Sequence, residues 1–490
     1  DGFNNPAVGI GAGVLSRGND VYFACIPDLW LLRDVNGDGV ADERSALHAG
    51  YGVHVGFLGH DLHGLTFGPD GKPYFSIGDR GFNVQVDGKG LAELDSGSIL
   101  RCNPDGTELE IVATGLRNPQ ELAFDPQGDL FTVDNNSDSG DKARLVHLVE
   151  GGDSGWRIGF QFIKQPTSRG AWNEEKLWVP GEAEKSASIL PPLINISDGP
   201  SGLTRNPGVT ALPDRYKDHF FLADFRGGAS SSGVRAFTVE PKGASFKLGE
   251  SEEFVWGALA TDVDFGADGA LYFSDWVEGW NKTGKGRLYR VFDPARKADA
   301  RVAEVRKLLA DGFDQRADDE LAGLLGHADM RVRQKSQFAL AARGTDAIQS
   351  FTRVARDGRA GLARLHAIWG LGQIGRREAS AHDALAVLLN DSDAEVRAQA
   401  AKTLGDDRAK AFGDRLIPLL ADASPRVRFF AAIALGRMAF RDAAGPLVAM
   451  ARDDGGDAYL RHAAVMGLVG AGDLEALSKA AEDDSAYARL

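Results

Sequence analysis

One unit recurs along the chain up to Val291. It is an apolar strand, a turn of Pro or Ala, Asp or Gln and Gly, and an aromatic-rich strand. It reads LTFGPDGKPYFSIGD at 65–79, LAFDPQGDLFTVDN at 122–135 and VDFGADGALYFSDW at 263–276. Looser copies are VLSRGNDVYFACIP at 14–27 and VTALPDRYKDHFFLADF at 209–225. Pro fixes φ and Gly permits positive φ, so each unit is a strand, a tight turn and a strand. The copies lie roughly 40–90 residues apart, an internal repeat too long for simple hairpins of a β-sandwich and suited to propeller blades. The first strand of each unit is then nearest the central axis. The chain starts without an obvious first blade, so an incomplete ring of about five blades is expected, and with it a chain that is a fragment.

The pattern changes near residue 295. From about residue 299, Ala, Leu, Arg and Asp dominate with helical periodicity. Five segments align on Arg333, Arg364, Arg397, Arg428 and Arg461, and a sixth copy places Arg489. Each opens with Asp or Ser as an N-cap and ends near Gly. Two helices per repeat of about 31 residues is the mark of a HEAT-type α-solenoid. The aligned arginines read as structural, bonding Asp side chains and helix-end carbonyls of the neighbouring repeat. The expected fold is therefore multidomain β + α: a β-propeller over 1–295 and an α-solenoid of HEAT-type repeats over 296–490.

Composition narrows the partners. The formal net charge of −15 argues against a nucleic-acid or anionic-lipid partner. No apolar run of about eighteen residues is present, so no membrane span is expected. The two cysteines, Cys25 and Cys102, sit in apolar strands outside any CxxC or CxxCH motif and read as buried thiols, with one disulfide as the alternative. The Pro-rich segment 166–192, with Trp172 and Trp178, is an insertion that either walls a site, covers a blade edge or packs as a surface loop.

Three stretches carry candidate chemistry. In GHDLHGLTFGPDGKPYFSIGD, His60 precedes the first strand and Asp79 follows the second, and a hairpin sets those ends side by side. A carboxylate beside an imidazole fixes its tautomer and makes it a proton acceptor near neutral pH. One blade later, Arg117, Asn118 and Gln120 stand just before a first strand, and Asn135 and Asn136 follow a second strand. In a propeller these equivalent positions surround one axial mouth, so His60, Asp79, Arg117, Asn118 and Asn135 should converge. In DVNGDGVADE, Asp34, Asn36, Asp38 and Asp42 occupy positions 1, 3, 5 and 9 with Gly39 at position 6, an oxygen pattern suited to Ca²⁺, although Ser45 stands at position 12. Metal-dependent chemistry at His54, His60 and His63 is a further reading whose spacing matches no familiar site.

HDLHGLTFGPDGKPYFSIGDRGFN, followed by GLRNPQELAFDPQGDLF, GGDSGW and GPSGL, resembles the soluble sugar dehydrogenases that use pyrroloquinoline quinone (PQQ). That resemblance, over roughly residues 50–291, implies a six-bladed propeller with cofactor at the axial mouth, held partly through calcium. It implies that His60 is the general base, that Asp79 orients it, and that Arg117 and Asn118 contact the quinone. Gln120, Asn135 and Asn136 then fall among cofactor contacts, and Arg226 stands where a cofactor-binding lysine is expected. An arginine pair expected before DVDFGADG is replaced by Ala260 and Thr261, and His63 has no counterpart. With its helical repeats, the whole chain resembles large extracytoplasmic proteins described as membrane-bound dehydrogenases, many of which carry a c-type haem domain. The resemblance implies oxidation of a sugar or other alcohol, a periplasmic or extracytoplasmic location, and a cytochrome c-type electron acceptor or a protein partner held by the HEAT repeats. The alternative is a non-catalytic scaffold that binds a glycan or protein.

Overall fold

The computed structural model describes residue 3 and residues 11–53, 59–157, 170–181, 186–281, 283–357 and 361–490. His54 and parts of the 166–192 insertion lie outside the described residues. Among the described residues, no helix is long and apolar enough to cross a membrane. Cys25 and Cys102 are buried and do not pair as a disulfide.

Five antiparallel sheets follow one another. The first is β1 (Gly11–Arg17), β2 (Asp20–Cys25), β3 (Asp28–Arg33) and β4 (Glu43–Ala49), paired in chain order. The second begins with β5 (Leu62–Phe67) and β6 (Pro73–Ile77). A two-stranded hairpin, β7 (Phe82–Val86) and β8 (Lys89–Glu93), interrupts it before β9 (Gly97–Arg101) and β10 (Glu110–Leu116). The third is β11 (Pro119–Phe124), β12 (Leu130–Asp134) and β13 (Arg144–Leu148), after which the short β14 (Gly152–Asp153) returns to pair in parallel with β10. The fourth is β15 (Pro200–Arg205), β16 (Phe220–Asp224), β17 (Gly233–Lys242) and β18 (Ser245–Trp256), and the fifth is β19 (Ala260–Phe265), β20 (Leu271–Asp275) and β21 (Arg287–Val291).

These sheets are propeller blades. The first strands β1, β5, β11, β15 and β19 pack against one another in that order. Among the described residues no comparable packing joins β19 back to β1. The flanks of the break are apolar yet solvated: Val14 on β1 is 68% exposed and Leu288 on β21 is 70% exposed. Among the described residues the ring is open, with five blades. Between the blades, apolar side chains of facing sheets interleave. Leu65, Phe67 and Phe75 pack with Tyr22 and Leu31, and Val263, Phe265 and Phe273 pack with Phe221 and Ala236.

The helices after residue 299 stack as repeats, including Met330–Ala341, Gly361–Gly375, Ala394–Asp406, Pro425–Arg437 and Ala458–Ala471. Asp329, Asp393 and Asp457 cap their helices by accepting backbone N–H bonds, whereas the Ser424 side chain makes no capping bond. The aligned arginines link repeats. Arg397 reaches Asp422 at 2.9 Å and the Asp391 carbonyl at 2.7 Å, and Arg428 reaches Asp454 at 2.9 Å and the Asp422 carbonyl at 2.6 Å.

The first helices of the repeats lie on the turn end of the propeller. Gln334 donates to the Phe67 carbonyl at 3.0 Å, Gln337 to Pro69 at 2.7 Å, Gln399 to Gln127 at 2.7 Å and Arg331 to Gly266 at 2.9 Å. Each acceptor is a carbonyl in or beside a blade turn. Val149, Leu190, Val209 and Ala244 of the propeller join the apolar core of the helices. Phe338 in turn packs into the core of the first two blades, edge-on to Phe67. Tyr459 stacks on His147 at 5.2 Å. Because β5 starts beside His60 and ends at Phe67, the solenoid and the histidine pair lie at opposite ends of the propeller.

Candidate active site

The strand register brings His60 and Asp79 together. β5 pairs with β6 through Leu62 to Ile77 and Phe67 to Pro73, with a bulge between His63 and Thr66. Gly64 sits in that bulge at φ 65°, where an added Cβ would lie 2.7 Å from Ser76 Oγ. Past the paired strands, His60 Nδ1 lies 2.9 Å from Asp79 Oδ1. A carboxylate only accepts, so Nδ1 carries the proton and Nε2 the lone pair. The other Asp79 oxygen accepts from the indole N–H of the fully buried Trp156 at 3.1 Å. Burial pushes the His60 pKa below its ordinary 6.5; the bond to Asp79 opposes this and the charge of Arg117 adds to it. His60 is therefore neutral at pH 7 and able to accept a proton.

Arg117 and Asn118 are held from the next blade. Their backbone N–H groups donate to Asp134 at 2.8–3.1 Å, and the Arg117 carbonyl accepts from the Asp79 N–H at 2.7 Å. Asp134 is paired in turn with the fully buried Arg144 at 2.8 Å. The Arg117 guanidinium bonds the Asn136 carbonyl and reaches Asp138 at 3.4 Å. Arg117 Nε and Asn118 Nδ2 are buried without a hydrogen-bond partner among the described residues.

A cleft of about 670 Å³ opens over these groups. His60, Arg117, Asn118, Gln120, Asn135, Asn136 and Arg226 all line it, and Asp79 lies behind His60. Arg226 is already bonded to Asp224 at 2.8 Å and reaches Asp198 at 3.2 Å. Thr261, also in the wall, bonds Ser274. Sequence reading missed the opposite wall, where Phe225, Trp276 and Trp280 cluster. Trp276 and Trp280 meet edge to face at 5.0 Å, Phe225 stacks with Trp276 at 6.0 Å, and Trp280 is 59% exposed. It also missed Trp156, Arg144 and the structural role of Trp172, which packs on Trp156 at 5.2 Å and donates to Asp141 at 2.8 Å.

Asp34, Asn36, Asp38 and Asp42, the residues expected to hold calcium, lie in the loop between β3 and β4. Among the described residues, no group of three or more acidic, histidine or cysteine side chains converges as a metal site. The loop satisfies itself instead. Asp34 accepts from the N–H groups of Gly37 and Gly39, Asp38 from that of Val40, and Asp42 from those of Val35 and Asn36. Asn36 turns its amide nitrogen to Asp42 at 2.9 Å. These are Asx turns, in which the side chains replace missing backbone partners. His63 is bonded to Ser76 and Asn118 and, among the described residues, joins no metal cluster; His54, the third member of that reading, lies outside them.

Residues 7–280 match the family described as a domain of unknown function, DUF7133. The chain belongs to this family. In this DUF7133 chain, residues 413–490 also match HEAT repeats. Over 125 residues it is 32% identical to quinoprotein glucose dehydrogenase B of Acinetobacter calcoaceticus; the match takes in 20% of this chain and 26% of that protein. The chain thus spans about a quarter of the length of the curated relative it matches. Among solved structures it is similar to the PQQ-bound form of aldose sugar dehydrogenase from Streptomyces coelicolor, at 20% identity and a TM-score of 0.38, over 58% of this chain and 80% of that one. It is also similar to the complex of CpcE and CpcF of phycocyanin lyase from Nostoc sp. PCC7120, at 22% identity and a TM-score of 0.28, over 31% of this chain and 97% of that one.

Proposed function

We propose that the cleft is the active site of a quinoprotein dehydrogenase that oxidises a hydroxyl group of a sugar or other alcohol. One observation carries the reading. A neutral, carboxylate-oriented histidine stands beside two buried donors, Arg117 Nε and Asn118 Nδ2, that have no partner among the described residues. Such donors suit a group rich in acceptor oxygens, and PQQ, with its quinone and carboxylates, is one. Arg117, Asn118 and Gln120 would hold its quinone side, with Asn135, Asn136 and Arg226 around the rest. When bound, the quinone supplies the two-electron acceptor. The chain supplies position and proton transfer. His60 Nε2 takes the substrate hydroxyl proton, and Asp79 holds Nδ1–H and stabilises the imidazolium. Arg117 presents positive charge where negative charge grows on an acceptor oxygen. The aromatic wall of Phe225, Trp276 and Trp280 offers an apolar face to a ring. The proposal extends to a periplasmic or extracytoplasmic location and to electron transfer to a cytochrome.

The dehydrogenase reading does not depend on calcium at Asp34, Asn36, Asp38 and Asp42, whose oxygens accept from the loop's own amides. A second reading, a scaffold that binds a glycan or protein, draws support from the charges. Thr261 and Ala260 supply no cation, and Arg226 is already matched by Asp224 and Asp198. The two readings separate in one titration of purified protein with PQQ. The dehydrogenase reading expects a saturable change in the quinone absorption spectrum and dye-coupled oxidation of aldoses or alcohols. Absence of both overturns it and leaves the scaffold.

A further inference from the structure

The second histidine of GHDLHG is bonded at both ring nitrogens. His63 Nδ1 lies 2.9 Å from Ser76 Oγ, while Nε2 lies 3.2 Å from the Gly59 carbonyl and 3.2 Å from Asn118 Oδ1. A carbonyl oxygen can only accept, so Nε2 must carry the proton. Nδ1 then faces the Ser76 hydroxyl as an acceptor, sharing its single proton with the His63 carbonyl, which lies 3.1 Å from Ser76 Oγ. The Asn118 atom facing Nε2–H must also be an acceptor, which fixes it as Oδ1 and turns the NH₂ group away from His63. That NH₂ group has no partner among the described residues, although Asn118 is 1% exposed and lines the cleft beside His60. Burial holds the His63 pKa down at about 4, so the ring stays neutral across the neutral range and its hydrogen bonds decide the tautomer.

We propose that His63 is a positioning residue: its Nε2–H locks the Asn118 amide so that the NH₂ group is presented beside His60, and the cleft thereby selects ligands that offer an acceptor oxygen there, as a quinone or other carbonyl does. This rests on the dehydrogenase reading only for the identity of the ligand. An unlocked amide would have its two ends interchangeable and would show the cleft an oxygen in part of the population, repelling such a ligand.

The test has two arms. In the ligand-free protein, ¹⁵N NMR of the histidine rings reads the tautomer directly; the expectation is Nε2–H at His63, unchanged down to about pH 5. An Nδ1–H tautomer overturns the proposal whatever the cleft binds. In the second arm, PQQ affinity is measured for the wild type, His63→Gln, His63→Leu, Asn118→Asp and the His63→Leu/Asn118→Asp double variant. Glutamine can still donate to Asn118, so His63→Gln should stay within about three-fold of wild type, and His63→Leu should weaken binding about ten-fold. In the Asn118→Asp background, which has no NH₂ to orient, His63→Leu should add nothing. Equal losses for Gln and Leu, or an undiminished loss in the Asn118→Asp background, would assign His63 a packing role instead. If the wild type binds no PQQ, the dehydrogenase reading fails, and the tautomer alone decides the role of His63.

Discussion

Asp79, Asp134, Asp224 and Asp275 stand at equivalent places, at or just after the second strand of four blades, and all four are buried. In three of them the carboxylate ties down its own blade: Asp134 accepts from Arg117 and Asn118, Asp224 holds Arg226, and Asp275 accepts from Leu259 and Val277. In the second blade the same carboxylate is turned to His60 and Trp156. A structural anchor thus becomes the orienting group of a base. His60→Ala should lower turnover by about 10²–10⁴ while PQQ affinity stays nearly intact, whereas Arg117→Ala should reduce both. Because burial lowers the His60 pKa, the base is neutral at pH 7, and kcat/KM should hold steady down to below pH 6.5 before it falls. Trp156→Phe, which removes the indole donor to Asp79, should move that acidic limb; a limb identical to wild type would remove Trp156 from the machinery. At the loop of Asp34 to Asp42, neither Ca²⁺ nor a chelator should change the melting temperature, and a rise with Ca²⁺ would restore the metal reading. The His60–Asp79 pair was legible because a tight turn forces the two ends of one hairpin together. Trp156, Arg144 and the Trp276–Trp280 wall were not, because nothing local in sequence says that segments so far apart meet at one mouth.

At the scale of elements, two repeat signals could be read with different sharpness. The Pro-Asp-Gly and Ala-Asp-Gly turns marked the blades, since turn chemistry is local. The repeats also located the helices, since helical periodicity and capping are local too. Which face of the helices would be used was not readable. The glutamines at 334, 337 and 399 look like solvated side chains in sequence, yet they donate to blade-turn carbonyls. Charged residues behave alike. Arg101 of β9 meets Glu110, Glu150 and Asp406 from three directions with 3% of its side chain exposed. Arg426 bridges Asp129 of the third blade, at 2.7 Å, and Glu395 of the preceding repeat, at 2.6 Å. Removing one member of such a buried group strands the others, so Arg426→Ala should cost about 3–5 kcal/mol in urea unfolding. Arg452→Ala, on the solvated side of the solenoid beside Asp483, should leave the urea midpoint where it is.

At the scale of the molecule, the solenoid is bound to the propeller through shared apolar core, buried ion pairs and backbone-directed amides. The two parts should therefore melt in a single calorimetric transition; two separated transitions would mean that the interface contributes little. Among the described residues the ring of blades does not close on itself. A closed propeller fixes the angle between its blades by its own circumference. Here the third blade is gripped through Gln399 and Arg426, the second through Gln337, the fifth through Arg331 and the hairpin of the fourth through Asp457. The helical stack therefore braces the fan of blades from the end opposite the mouth that His60 and Trp280 line. Substituting Gln399 or Arg426 should loosen the grip on the third blade without altering any residue of the cleft, and hydrogen exchange of β11 to β13 would read it.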